Sequence, residues 1–130
     1  MTARFVRFQS PRQDRRGRFV GVFGLVNAAA KDGLLTVEQE RVRRVNNDWF
    51  DAYYPDPTAV DATVYDHDIN PRAAAWFKSS AVELIDRTER HLKLCRELAI
   101  ECDRIESDDP GRIIYEDEHQ VVVVAHQGDR

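Results

Sequence analysis

Cysteine, methionine and long apolar runs are scarce in this 130-residue chain, and each scarcity removes a class of protein. Two cysteines, Cys95 and Cys102, lie seven residues apart, a spacing that fits no standard disulfide framework, and they read as two reduced, mostly buried thiols. The longest stretch that resembles a membrane segment, Phe19 to Ala30, has 12 residues and is interrupted by Gly21, Gly24 and Asn27. A spanning helix needs ~20 apolar residues, so no membrane span or membrane partner is expected. Arg4 and Arg7 near the start precede no apolar block or small-residue cleavage site, so no secretory signal is expected and the chain is read as cytoplasmic. Phosphate-loop, dinucleotide-loop, serine-elbow, CxxC and HExxH patterns are all missing. Neither a cofactor nor a metal is therefore expected, and covalent catalysis has no support.

Charge is plentiful but unevenly placed. The formal net charge is −4, yet residues 1–18 hold six arginines against the single acid Asp14, leaving the other 112 residues at −9. Six aspartates fall between Asn47 and Asn70, where no lysine or arginine occurs. Duplex nucleic acid is an improbable partner for such a body, because that affinity rests on a broad basic face that neutralises phosphates. The arginine-rich segment Pro11 to Arg18 suits one phosphate or carboxylate instead, since guanidinium offers a planar fork of donors.

A 130-residue chain buries about two thirds of its unfolded surface, enough for one domain over residues 1–130 without metal or disulfide support. Ala3 to Gln9 reads as a strand stopped by Ser10-Pro11. Phe19 to Gly33 carries Phe19, Val22, Phe23, Val26 and Ala30 at helical spacing, although Gly21 and Gly24 leave a strand over Arg18 to Phe23 open. Thr36 and Gln39 have capping-box spacing and start a helix that runs to Tyr54, with Val37, Val45, Trp49 and Tyr53 on one face. Pro55 and Pro57 end it. An irregular segment, 55–69, follows. Asn70-Pro71 then looks like the start of a long helix through Trp76, Phe77, Leu84, Ile85, Leu92 and Cys95. Ile100 to Glu106, Arg112 to Tyr115 and His119 to His126 alternate as three strands of a meander, with Asp117-Glu118 at the last tip. Valines 121–124 imply a strand buried on both faces. The expected fold is α+β: a roughly four-stranded, mostly antiparallel sheet made of the N-terminal strand and the C-terminal meander, with three helices packed on it.

Three stretches, RFVRFQSPR (4–12), NDWFDAYYPDP (47–57) and PGRIIYEDEHQVVV (110–123), resemble an uncharacterised family of short proteins from high-GC bacteria. The resemblance covers most of the chain and implies a self-contained domain.

Chemistry-bearing residues gather in two regions. Arg12 and Arg16 in the polar loop, with Asn47, Trp49 and Tyr65, are the candidate ligand-binding residues: an anion holder, an amide and aromatic walls. His67 between Asp66 and Asp68 is the candidate acid/base group, with Asp66 and Asp48 as alternative carboxylates. These residues point first to a binding or accessory domain that recognises a small anionic ligand or a protein partner. The second reading is a small enzyme that uses His67 or an aspartate on a phosphate- or carboxylate-bearing substrate held by arginine. The third is a homodimeric structural protein whose interface is the central helix or a sheet edge.

Overall fold

The computed structural model describes residues 3–126. Among the described residues six strands form one sheet: β1 (Phe5–Gln13), β2 (Phe19–Gly21), β3 (Ala74–Lys78), β4 (Asp103–Ser107), β5 (Arg112–Glu116) and β6 (Gln120–Val124). Three α-helices, α1 (Val22–Lys31), α2 (Val37–Tyr53) and α3 (Val82–Glu97), accompany it. Every strand pairing is antiparallel, so the expected α+β class holds, with two strands more than the four expected.

The extra strands come from segments with helical spacing. Ala74–Lys78 is a strand, not the first turns of a helix from Asn70, and α3 begins only at Val82. Trp76 and Phe77 explain the difference: each is buried, but in a different cluster on opposite faces of the sheet. Adjacent residues separate to two faces in a strand, whereas a helix would set them about 100° apart on one side. Arg72, at φ 59, turns the chain before the strand starts. Phe19–Gly21 is likewise a strand, with α1 starting at Val22.

No meander forms from the last three strands. β4 pairs with β1 along Phe5 to Gln9, while β5 and β6 make a hairpin that joins the sheet through β3. The order β4-β1-β3-β6-β5 puts β4 and β5 four strand spacings apart, about 19 Å in a flat sheet. Only residues 108–111 connect them, and a fully extended chain from Ser107 to Arg112 spans about 17 Å. The sheet must curl to close that distance. Its concave face then buries Phe5, Trp76, Val121 and Val123, with Ile105 against them.

Helices cover the other face, where Val6 and Phe8 of β1 and Phe77 of β3 meet Val22, Val26, Phe50, Leu84, Leu94 and Cys95. The two-sided burial read from valines 121–124 is present, since β6 lies between β3 and β5. α2 begins as expected, with the Thr36 hydroxyl accepting from Gln39 N–H and the Gln39 side chain accepting from Thr36 N–H. Its buried face is rotated from the expected one. Val37 is 82% and Tyr53 62% exposed, while Asn46 and Phe50 are buried, because α3 and β3 approach from that side.

Segment 55–69 is a succession of turns. A short 3-10 turn spans Pro57–Ala59. The Asp56 carboxylate accepts from Thr58 N–H at 3.0 Å and Thr58 Oγ1 at 2.7 Å, and Asp61 does the same for Thr63 at 2.9 and 2.7 Å. Asp66 accepts from the N–H groups of Asp68 and Ile69. Aspartates suit such turns because the short carboxylate reaches the backbone two residues on.

Candidate functional site

The residues singled out in the sequence are spread over separate elements. Arg12, near the end of β1, pairs with Glu101 at 3.2 Å, both side chains well exposed. Arg16 lies in the following turn, where the Asp14 carboxylate accepts the N–H groups of Arg16 and Arg18 at 2.9 Å each. Those bonds, with the Arg18 guanidinium, hold Asp14 below the usual carboxylate range. Asp48 is exposed on α2, and Asp66 and His67 are exposed in the turns before β3. Among the described residues, no hydrogen bond, ion pair or ring contact joins Arg12 or Arg16 to Asn47, Trp49, Tyr65 or His67.

Asn47 and Trp49 instead belong to a junction of the three helices. Asn46 Nδ2 lies 2.7 Å from His91 Nδ1, and His91 Nε2 lies 3.0 Å from Asn47 Oδ1. An amide nitrogen can only donate, so Nδ1 accepts and Nε2 carries the proton that Asn47 receives. Asn47 Nδ2 and Arg43 Nη1 both donate to Asn27 Oδ1, and Arg87 Nε donates to Asn46 Oδ1 at 2.8 Å. The Arg87 guanidinium also lies 4.9 Å from the centre of a Trp49 ring. Burial, assisted by Arg43, pushes His91 down to about 4, so the ring is neutral at pH 7. With both nitrogens engaged, His91 fixes helix packing. Sequence reading gave Asn27 no role, because an amide on a helix looks solvated until its partner, 20 residues away, is known.

A half-buried cation occupies the fork between β2 and β3. Gln9 pairs with β2 and Phe5 and Val6 pair with β3, while all three also pair with β4, so β2 and β3 share one edge of β1. Arg7 fills the gap between them, donating to Ala75 O at 2.7 Å, Phe19 O at 3.0 Å and Gln9 Oε1 at 2.8 Å. Among the described residues no carboxylate pairs with it. Burial lowers its pKa, and the nearby Tyr65 and Tyr54 hydroxyls oppose that. Burial in turn raises both tyrosines, so they stay protonated beside the cation. Tyr65 thus belongs with Arg7 and not with the arginine loop.

The β5–β6 turn is ordered by its own acid. Burial works to raise Asp117, but bonds from His119 N–H, Tyr115 Oη and Gln120 hold it below the usual carboxylate range. Gln120 Nε2 also donates to Pro55 O at 2.8 Å, tying the end of α2 to the sheet.

The groove with the most varied chemistry runs beside α3, where that helix meets β1 and β4. It has a volume of about 590 Å³. Phe8, Ile85, Leu92 and Ile100 make it apolar, Cys95 and Cys102 contribute two thiols, and Asp86, Glu89, Arg96 and Arg104 supply charge. Arg96 pairs with Glu89. The Arg104 guanidinium lies 5.7 Å from the centre of the Phe8 ring and 3.7 Å from Glu106. Such solvent-exposed pairs are weak and exchange readily for another carboxylate.

Compared with known proteins, the chain matches no family model, no curated protein and no solved structure. Among the described residues no helix is long and apolar enough to cross a membrane, and no group of three or more His, Cys, Asp or Glu side chains is arranged to hold a metal ion.

Proposed function

We propose that this protein is a cytoplasmic binding domain whose ligand is a small amphipathic molecule with an anionic group, held in the groove beside α3. The observation that carries this reading is the combination, in one groove of about 590 Å³, of an apolar lining with Arg96 and Arg104. Ligand sites are concave, mostly apolar and furnished with a few polar groups that orient the ligand. An alkyl chain would lie against Leu92 and Ile100, and its carboxylate or phosphate would displace Glu106 or Glu89 from an arginine. Arg12, exposed on β1, and Arg16, exposed in the turn after it, are the anion holders expected from sequence, and neither lines this groove. A cytoplasmic setting suits two thiols that are free.

Straight-chain carboxylates of increasing length, titrated against the protein and read by calorimetry, test the reading. Affinity should rise by about 0.8 kcal/mol per methylene until the groove is filled. Ile100→Trp, which fills the groove, and Arg104→Gln should each weaken binding. No binding at any length, or binding indifferent to both substitutions, would overturn it.

A homodimer through α2 is the second reading. It is favoured by Val37 and Val45, both exposed beside a second groove that Arg41, Arg44 and Asp48 also line. Sedimentation velocity decides it, because a strictly monomeric protein at tens of micromolar removes the dimer.

A further inference from the structure

We propose that Cys95 and Cys102 form a redox-active dithiol, converted by a hydroperoxide into an intramolecular disulfide. The chain path brings the two together. α3 ends at Glu97, Ala99 adopts a left-handed backbone at φ 55, and Ile100 N–H returns to the Cys95 carbonyl at 2.8 Å. That turn reverses the chain, so the residue entering β4 comes back to the last turn of the helix it has just left. Both thiols are free, and both line the groove beside α3.

Their surroundings divide the labour. The Cys102 thiol donates to the Cys95 sulfur, which holds Cys95 below the usual thiol range despite burial, with Arg96 adding to the effect. The same bond raises Cys102, and burial raises it further. One proton is thus shared by the pair, and the sulfur without it is the nucleophile. Cys95 is only 1% exposed, so a bulky reagent is excluded. Hydrogen peroxide is little larger than water and fits a groove that Cys95 lines.

The chemistry balances without a cofactor. The Cys95 thiolate attacks one peroxide oxygen, the O–O bond breaks, and Cys95 becomes a sulfenic acid while hydroxide leaves. That hydroxide takes the Cys102 proton to give water. The Cys102 thiolate then attacks the Cys95 sulfur, the S–O bond breaks, and the second hydroxide takes up the proton released when Cys95 first ionised. Two thiols and one peroxide yield one disulfide and two waters, two electrons passing from sulfur to oxygen. Two equivalents of a low-molecular-weight thiol reverse the change by exchange and leave as their own disulfide.

The test treats the reduced, folded protein with a small excess of hydrogen peroxide, blocks remaining thiols under denaturing conditions and measures intact mass. Loss of two hydrogens is expected, reversed by dithiothreitol. Trypsin cuts after Arg96, between the two cysteines, so the product must appear as a linked pair of peptides. The folded protein should react at least about tenfold faster than the same chain in guanidinium chloride, because only the fold supplies the shared proton. In Cys102→Ser the reaction should stop at a Cys95 sulfenic acid that dimedone captures. Equal rates in the folded and denatured chain, disulfides between molecules, or oxidation of Cys102 alone to a sulfinic acid would each overturn the proposal. The rate comparison needs no variant and stands even if a substituted protein fails to fold. No groove ligand takes part, so failure here and failure of the carboxylate titration are read separately.

Discussion

Gly21 leaves the space that the Arg7 guanidinium fills: a β-carbon at Gly21 would stand 3.2 Å from Nη2 and 3.5 Å from Cζ. Its backbone, at φ −72 and ψ 164, is available to any residue, so the requirement is for space and not for an unusual conformation. Arg7 cannot retreat, because two of its bonds reach the starts of β2 and β3 and the third holds it to Gln9 on its own strand.

Gly21→Ala should therefore destabilise the protein by about 1 to 3 kcal/mol, the usual cost of overpacking a fixed neighbour. Arg7→Leu should cost about 2 to 4 kcal/mol, since the Ala75 and Phe19 carbonyls lose their donor. The decisive measurement is the double variant in urea. With the guanidinium gone, the alanine methyl has room, and the double variant should be hardly less stable than Arg7→Leu alone. Strict additivity would mean that the two residues do not share the space described.

His91 makes stability depend on pH with a definite sign. Its pKa is about 4 in the folded protein against 6.5 for an ordinary histidine, so between those values the unfolded chain binds more protons. The stabilisation is complete above pH 6.5, declines as the pH falls, and is gone below about 4; its full size is about 3 kcal/mol. His91→Gln, which cannot titrate, should lose less stability than the parent between pH 7 and pH 4.5. Denaturation midpoints for the two proteins at both pH values provide the check, and parallel losses would show that other groups govern the acid side.

Truncation should be costly at Trp49 and nearly neutral at Arg12 and Arg16. Trp49 is half-buried, with ring centres 5.1 Å from Phe50 and 5.0 Å from Tyr53, and Arg87 lies over it. Trp49→Ala should cost about 3 kcal/mol. The Arg12→Ala/Arg16→Ala variant should stay within about 0.5 kcal/mol of the parent, because both side chains are exposed and the turn is held by Asp14. Thermal unfolding of the two variants side by side tests both statements. A large loss from the arginine variant would show that the loop ties down the rest of the chain.

What could be read from the chain alone was chemistry that acts over a few residues. The Thr36–Gln39 capping box, the stop at Tyr54-Pro55 and the β5–β6 hairpin follow from caps, proline geometry and alternation, and each is present; the first strand is present too, but it runs past the expected stop at Ser10-Pro11 to Gln13, where an irregular register against β2 accommodates the proline. Helical spacing misled at Ala74–Lys78, because Trp76 and Phe77 suit a helix locally and became a strand only when two different clusters buried them. The aspartates between 48 and 68 looked like a site, yet Asp56, Asp61 and Asp66 act as turn acceptors.

Long-range partners belong to another level. Nothing near Arg7 in the chain announces Ala75, 68 residues on, and nothing near His91 announces Asn46. Cys95 and Cys102, seven positions apart, match no motif, and only the turn through Ala99 and Ile100 makes them a pair. Local sequence sets the torsional preferences and hydrophobic pattern of each element. Which charges and thiols share a low-dielectric neighbourhood depends on the strand order, on the curl imposed by the four-residue link between β4 and β5, and on the desolvation that follows when distant segments close over the same atoms.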